Sequence, residues 1–266
     1  MSKLLNRAVR IYLQTVQHSL NKAVASPIET QEKVFAKLLA NFKNTKYGKL
    51  HGIKHVKDVK SFQKTLPVVG YEEVKPFIER MMLGENDVLV GGSVKFFSKS
   101  SGTTNDKSKF IPVPRANLYK NHIKSGWDSL ALFYQKRPDA ELFHKKSLLI
   151  AGSINKYEQN PKTIIGDISA VMTKNMPSIA RSFYTPDLET ALLSDWEEKI
   201  SKITKIAHNQ DVVMFGGVPT WLIVIFREIL KYTGKDIYWK SGRISRVLST
   251  RVGFDHIWTS QIADTF

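Results

Sequence analysis

No cysteine occurs in the 266 residues. Disulfides, thiolate metal sites and cysteine nucleophiles are therefore excluded. Long apolar runs are missing too. A membrane span takes about 18 consecutive apolar residues, and the best candidate, VPTWLIVIFREIL (Val218–Leu230), is shorter and carries charge near its end. Charges scattered through MSKLLNRAVRIYLQTVQHSL deny the N-terminus the apolar centre of a signal peptide. A cytoplasmic protein with no membrane partner is the expectation. Acids are scarce, 24 against 40 lysines and arginines, for a net charge of +16. Such an excess suits a nucleic acid, an anionic membrane surface or a small anionic substrate. The lysines are spread along the chain and mixed with acids, with no arginine-rich block, so nucleic acid is disfavoured.

What is present reads as helices and strands in alternation. Leu4, Leu5, Val9, Tyr12, Leu13, Val16 and Leu20 recur at helical spacing. SPIETQEKVFAKLLANFKNT predicts a second helix with Ser26 as cap and Pro27 in the first turn. TKYGKLHGI reads as a loop, VKDVKSFQKTL as a short helix, and YEEVKPFIERMMLGE as a helix broken near Pro76. DVLVGG, VKFFSKS and KFIPVP look like strands, RANLYKNHIKSGWDSLALFYQ like a helix and KSLLIAGS like a strand. One long helix is expected over TPDLETALLSDWEEKISKITKIAHN, then a strand at DVVMFGG and a helix stopped by Gly234. The alternation predicts an α/β architecture with a largely buried sheet.

Several catalytic patterns are absent, among them Gly-x-Ser-x-Gly and His-Glu-x-x-His. His51 and His55 are four apart, but Gly52 and a loop-like setting argue against a metal. Asp167 reads as a loop residue and the acids of DWEEK as a solvated helix face. The segment richest in chemistry is VKFFSKSSGTTNDKSKFIPVP (Val94–Pro114). Its loop is not a Walker A motif, because Asp106 stands where a second glycine would be needed. The ingredients for holding phosphate are still there. Gly102 permits close backbone approach, Ser100, Ser101, Thr103 and Thr104 can donate hydrogen bonds, and Lys107 and Lys109 bring positive charge. A plain solvated hairpin loop is the competing reading.

SSGTTNDKSK resembles the first signature of the adenylate-forming superfamily, in which a Ser/Thr/Gly loop ending in lysine holds the β- and γ-phosphates of ATP. FFSKSSGTT, YEEVKPFIERMMLGE, GDISAVMTKNMP and GGVPTWLIVIFREIL are similar to one branch, the auxin-responsive (Gretchen Hagen) acyl-acid amido synthetases and their bacterial relatives. The resemblance implies the N-terminal part of that family's large domain, with N-terminal helices packed beside a mixed sheet. It implies ATP and Mg²⁺ as cofactors and a carboxylic acid and an amine, often an amino acid, as substrates. It places Ser100, Ser101, Gly102, Thr103, Thr104, Lys107 and Lys109 on the ATP phosphates, and Val218, Pro219 and Trp221 near the acyl pocket. Those last three also suit a strand-to-helix turn with Trp221 in the core. Asn105 and Asp106 depart from the small residues usual in plant members.

The family's later Ser-Glu and Arg-Tyr…Gly-Asp signatures are not found. After LKYTGKD, bacterial relatives continue with a stretch like NLLEVWPNLE, whereas this chain has IYWKSGRISR (Ile237–Arg246). Reading each third base with the next two permits LLEVWPNLE. The expectation is an incomplete adenylation domain over residues 1–235 and an out-of-frame tail over 236–266, with weak ATP binding and no turnover. A basic α/β module for nucleic acid or anionic surfaces is the alternative.

Overall fold

A computed structural model describes residues 3–100, 108–140 and 142–234. The tail from 236 and most of the loop after Ser100 lie outside these residues. Helix α1 (Lys3–Ala25) leads into α2 (Pro27–Phe42), where Pro27 occupies the first turn and Glu29 faces the positive end of the helix dipole. Ser26 makes no side-chain cap bond; instead its carbonyl accepts from the Thr30 hydroxyl at 2.8 Å. The expected loop at TKYGKLHGI contains a short helix, α3 (Lys46–Leu50), whose start is fixed by the Thr45 hydroxyl accepting from the Gly48 amide at 2.9 Å. A Cβ on Gly48 would lie 2.2 Å from the Phe42 carbonyl oxygen, so no side chain fits. A 3₁₀ turn (Ile53–His55) follows Gly52, which takes the left-handed conformation at φ 66°. Asp58 and Ser61 cap each other at the head of α4 (Val59–Thr65).

Helix α5 (Tyr71–Met82) runs through Pro76 instead of breaking there. Burial of Ile78, Met81 and Met82 outweighs the one hydrogen bond that proline cannot donate. Strands β1 (Phe96–Lys99) and β2 (Phe110–Val113) come next. α6 (Arg115–Asn117), a π-helical stretch (Leu118–Ile123) and α7 (Lys124–Lys136) follow in succession. Then come β3 (Lys146–Leu149), β4 (Ile154–Tyr157), β5 (Asn160–Gly166) and α8 (Ile168–Lys174). The chain continues through α9 (Ser178–Arg181), β6 (Tyr184–Thr185), α10 (Leu188–Ala191), α11 (Trp196–Ala207), β7 (Val212–Gly216) and α12 (Pro219–Thr233).

These elements form two compact units. The first, Gln14–Ala131 with Asn155–Ile168, holds a mixed sheet in the order β2-β1-β5-β4. Strand β1 pairs antiparallel with β2 and parallel with β5, Phe97 opposite both Pro112 and Ile165. Phe97 and Val94 bury against Ile78, Met81 and Met82 of α5, while Leu39, Ile53 and Val56 make a separate small core under α2, α3 and α4. The second unit, whose described residues are 3–13, 132–140, 142–154 and 169–234, holds the parallel sheet β6-β3-β7. Leu148, Ile150, Phe215, Leu222, Ile225 and Ile203 fill its core.

Three more sequence expectations are corrected. DVLVGG is a loop: Asp87 at φ 55° and Gly92 at φ 79° turn it, and the Asp87 carboxylate accepts from the Gly92 amide at 2.6 Å. The expected long helix from Thr185 is divided into α10 and α11, because Asp187 and Asp195 each cap a new start. The strands expected in one largely buried sheet are divided between two, one mixed and one parallel.

Candidate phosphate-binding site

Strand β1 leads into the loop and β2 leads out, so the mouth of the hairpin is set by Ser100 and Lys109. The Ser100 amide donates to the Lys109 carbonyl at 2.9 Å, and the Lys109 amide donates to Ser100 Oγ at 3.0 Å. Ser100 thus uses its oxygen as an acceptor and keeps its hydroxyl proton to donate. A clasp from outside the hairpin, absent from the sequence reading, is Tyr71 at the first position of α5. Its hydroxyl accepts from the Phe110 amide at 2.9 Å, and the Lys109 ammonium stands 5.6 Å from its ring centroid, within reach of a cation–π attraction. The head of α5 is itself held by Glu73, whose carboxylate accepts from the Gly70 amide. Among the predicted phosphate ligands, Ser100 and Lys109 are therefore placed together. Ser101, Gly102, Thr103, Thr104 and Lys107 lie outside the described residues.

Among the described residues the hairpin returns as a strand, so the loop does not run directly into a helix as it does in a strand–loop–helix phosphate site. Ser98 is level with Gly166 in the parallel pairing of β1 and β5, so both chains leave the sheet at the same edge. Ligands in α/β sheets bind outside the carboxyl ends of parallel strands. Asp167, exposed one residue past β5, is a carboxylate at that edge. Among the described residues no three His, Asp or Glu side chains gather as a metal cage.

The second candidate group lies in the other unit. Val218 precedes α12 and is exposed, Pro219 is its first residue, and Trp221 packs on the core with its ring 5.1 Å from Trp196. Pro219 and Trp221 also suit the strand-to-helix turn, with Trp221 in the core. The strand before them is tightly placed, since a Cβ on Gly217 would meet Ile150 Cβ at 3.1 Å. Lys199 is a buried cation that the sequence did not flag. It is 2% exposed and donates to the carbonyls of Ala151 at 2.9 Å and Gly152 at 3.0 Å, pinning the turn after β3. A cavity of about 580 Å³ in the same unit is lined by Lys146, Arg181, Asp187 and neighbours. Its charged groups hold backbone: Lys146 bonds the Ser182 carbonyl, Arg181 the Met176 carbonyl, and Asp187 caps α10.

Residues 16–231 match the profile of the GH3 family N-terminal domain. The chain belongs to the GH3 family. It is similar to the indole-3-acetic acid-amido synthetase GH3.2 of Arabidopsis thaliana, at 31% identity over 39% of this chain and 19% of that protein. It is also similar to the 4-substituted benzoates-glutamate ligase GH3.12 of the same plant, at 27% identity over 68% of this chain and 32% of that one. The jasmonoyl-L-amino acid synthetase JAR6 of Nicotiana attenuata is 34% identical over 31% of this chain and 14% of its own. A solved structure, the GH3.15 acyl acid amido synthetase, superposes with a TM-score of 0.63 at 20% identity, covering 92% of this chain and 43% of that one. That likeness shows the fold. The GH3 chain in hand spans less than half of each of these relatives.

Proposed function

We propose that this chain carries the ATP-phosphate site of an acyl-acid amido synthetase, built on the β1–β2 hairpin. The observation that carries it is the clasped hairpin mouth, with Lys109 held on Tyr71 at the carboxyl edge of parallel strands, in a chain whose relatives are named as ligases of small acids with amino acids. In the proposed reaction a carboxylate oxygen attacks the α-phosphorus of ATP, the bond to the bridging oxygen breaks, and pyrophosphate leaves. An amine nitrogen then attacks the acyl carbon, loses a proton and displaces AMP to form the amide.

Ser100 and Lys109 hold and orient the departing phosphates, with Ser101, Gly102, Thr103, Thr104 and Lys107 as further ligands. The protein's contribution is positioning and neutralisation of charge on the leaving group. Mg²⁺ in nucleotide sites is held by one or two carboxylates together with substrate phosphates. Asp167, a carboxylate at the edge, fits that donor set. When bound, the ion adds to charge neutralisation on the pyrophosphate. Val218, Pro219 and Trp221 are the proposed acyl-pocket residues. For this chain alone, weak ATP binding without acid-dependent ATP–pyrophosphate exchange is part of the proposal.

The test is competition against a fluorescent ATP analogue. Recognition through phosphate predicts that pyrophosphate displaces the analogue and adenosine does not. Displacement by adenosine alone would overturn the reading.

A further inference from the structure

Between Lys43 and Lys64 the chain carries seven lysines, two histidines and one acid, Asp58, for a net charge of +6 with the histidines neutral. The lysines alternate with uncharged residues, which is why no block stood out in the sequence. The fold places them on the outside of one small core. Thr45 caps α3, Gly52 turns the chain, and Asp58 caps α4, so the segment wraps one small core. Ile53 and Val56 are pinned inward on Leu39, with Phe35, Phe42, Phe62 and Leu66 packed around them. The residues between those anchors have only the outer side left: Lys49, Lys54, His55, Lys57, Lys60 and Lys64 are all exposed.

Little opposes this charge. Lys46 pairs with Glu85. The Asp58 carboxylate, near Lys60, is engaged by the Ser61 amide and hydroxyl, each at 2.7 Å. Among the described residues, Lys49, Lys54, Lys57 and Lys64 have no acidic partner within 4 Å. Aliphatic side chains stand out among them: Leu50 is 68% exposed, Val59 51% exposed and Val68 fully exposed.

We infer that this face docks on an anionic lipid bilayer. Compact ammonium groups on long flexible stems suit phospholipid headgroups, and aliphatic side chains between them gain by entering the boundary with the acyl chains. Nucleic acid would call for arginine forks or exposed aromatic rings for stacking. The segment contains no arginine, and its tyrosine, Tyr47, is buried. The contact is at a surface: no described helix is long and apolar enough to cross a membrane. It is independent of the phosphate site.

The test is sedimentation of the full chain with phosphatidylcholine vesicles, with and without about a third of phosphatidylserine. Binding is expected only with phosphatidylserine and is expected to be lost as salt rises from about 0.05 to about 0.5 M. Each lysine near such a surface contributes about fivefold, so Lys49→Gln, Lys54→Gln and Lys57→Gln together should weaken binding about a hundredfold. The control Lys22→Gln, Lys120→Gln and Lys162→Gln removes equal charge elsewhere and should bind as wild type. Leu50→Ser with Val59→Ser should weaken binding several-fold. All substituted residues are exposed, and unchanged circular dichroism checks the fold. No binding to phosphatidylserine vesicles overturns the inference, as does equal loss in the control triple. Tighter binding to duplex DNA that ignores Leu50 and Val59 overturns it in favour of nucleic acid.

Discussion

Tyr71 and Lys109 divide the work of closing the hairpin between a hydroxyl and a ring, and the two can be separated by substitution. Tyr71→Phe removes the hydroxyl that accepts from Phe110 but keeps the ring beneath the ammonium. It should lose about 1 kcal/mol of stability and leave nucleotide affinity within about twofold. Tyr71→Leu removes both and should weaken ATP binding several-fold, the scale of a partly exposed cation–π contact of about 0.5–1 kcal/mol. Denaturant melts and titrations of the two variants check the split. Neither role was legible in the sequence, where Tyr71 read only as the start of a helix; contacts across 39 positions leave no local pattern. Glu85 is a second residue whose part emerges only in the fold. Hydrogen bonds from the Arg80 guanidinium and then the Lys46 ammonium hold its carboxyl down at about 2. A depressed carboxylate stabilises above its unfolded value and loses that contribution as pH falls. The stability gap between wild type and Glu85→Gln should therefore be full above about pH 4.5 and close towards pH 2. A gap that widens on acidification would contradict the assignment.

At the scale of elements, the strands of strongest apolar pattern were legible. KFIPVP, KSLLIAGS and DVVMFGG became β2, β3 and β7, and Gly234 ends α12 in the left-handed conformation. The β4–β5 hairpin was not foreseen, because Glu158 and Gln159 between its strands carry no Asn-Gly or Asp-Gly turn signal. The division between α10 and α11 had a signal that apolar spacing masked: Asp195 stands three residues before Glu198, whose amide it accepts at 2.7 Å, a common helix start. Asp195→Ala should cost about 1 kcal/mol. Lys199 belongs to the same helix. Lys199→Met leaves two carbonyls without their charged donor, and a loss of about 2 kcal/mol is expected. Ile225→Ala, at a fully buried site in α12, should lose about 2–5 kcal/mol. Urea unfolding ranks the three, and an order with Ile225→Ala mildest would contradict the packing described.

For the molecule as a whole, charge and family pull the reading in one direction. A net charge of +16 favours anionic ligands of every size, so affinity for ATP by itself does not distinguish a built site from a basic surface. The distinction lies in one ammonium group. Calorimetric titration of ATP and of pyrophosphate into wild type and Lys109→Met, at salt high enough to screen the surface lysines, isolates it. If the hairpin holds phosphates, both ligands bind wild type and both weaken at least tenfold in the variant, whose melting temperature stays within a few degrees. Equal affinity in the two proteins, or no heat with either, would contradict a phosphate site at this hairpin.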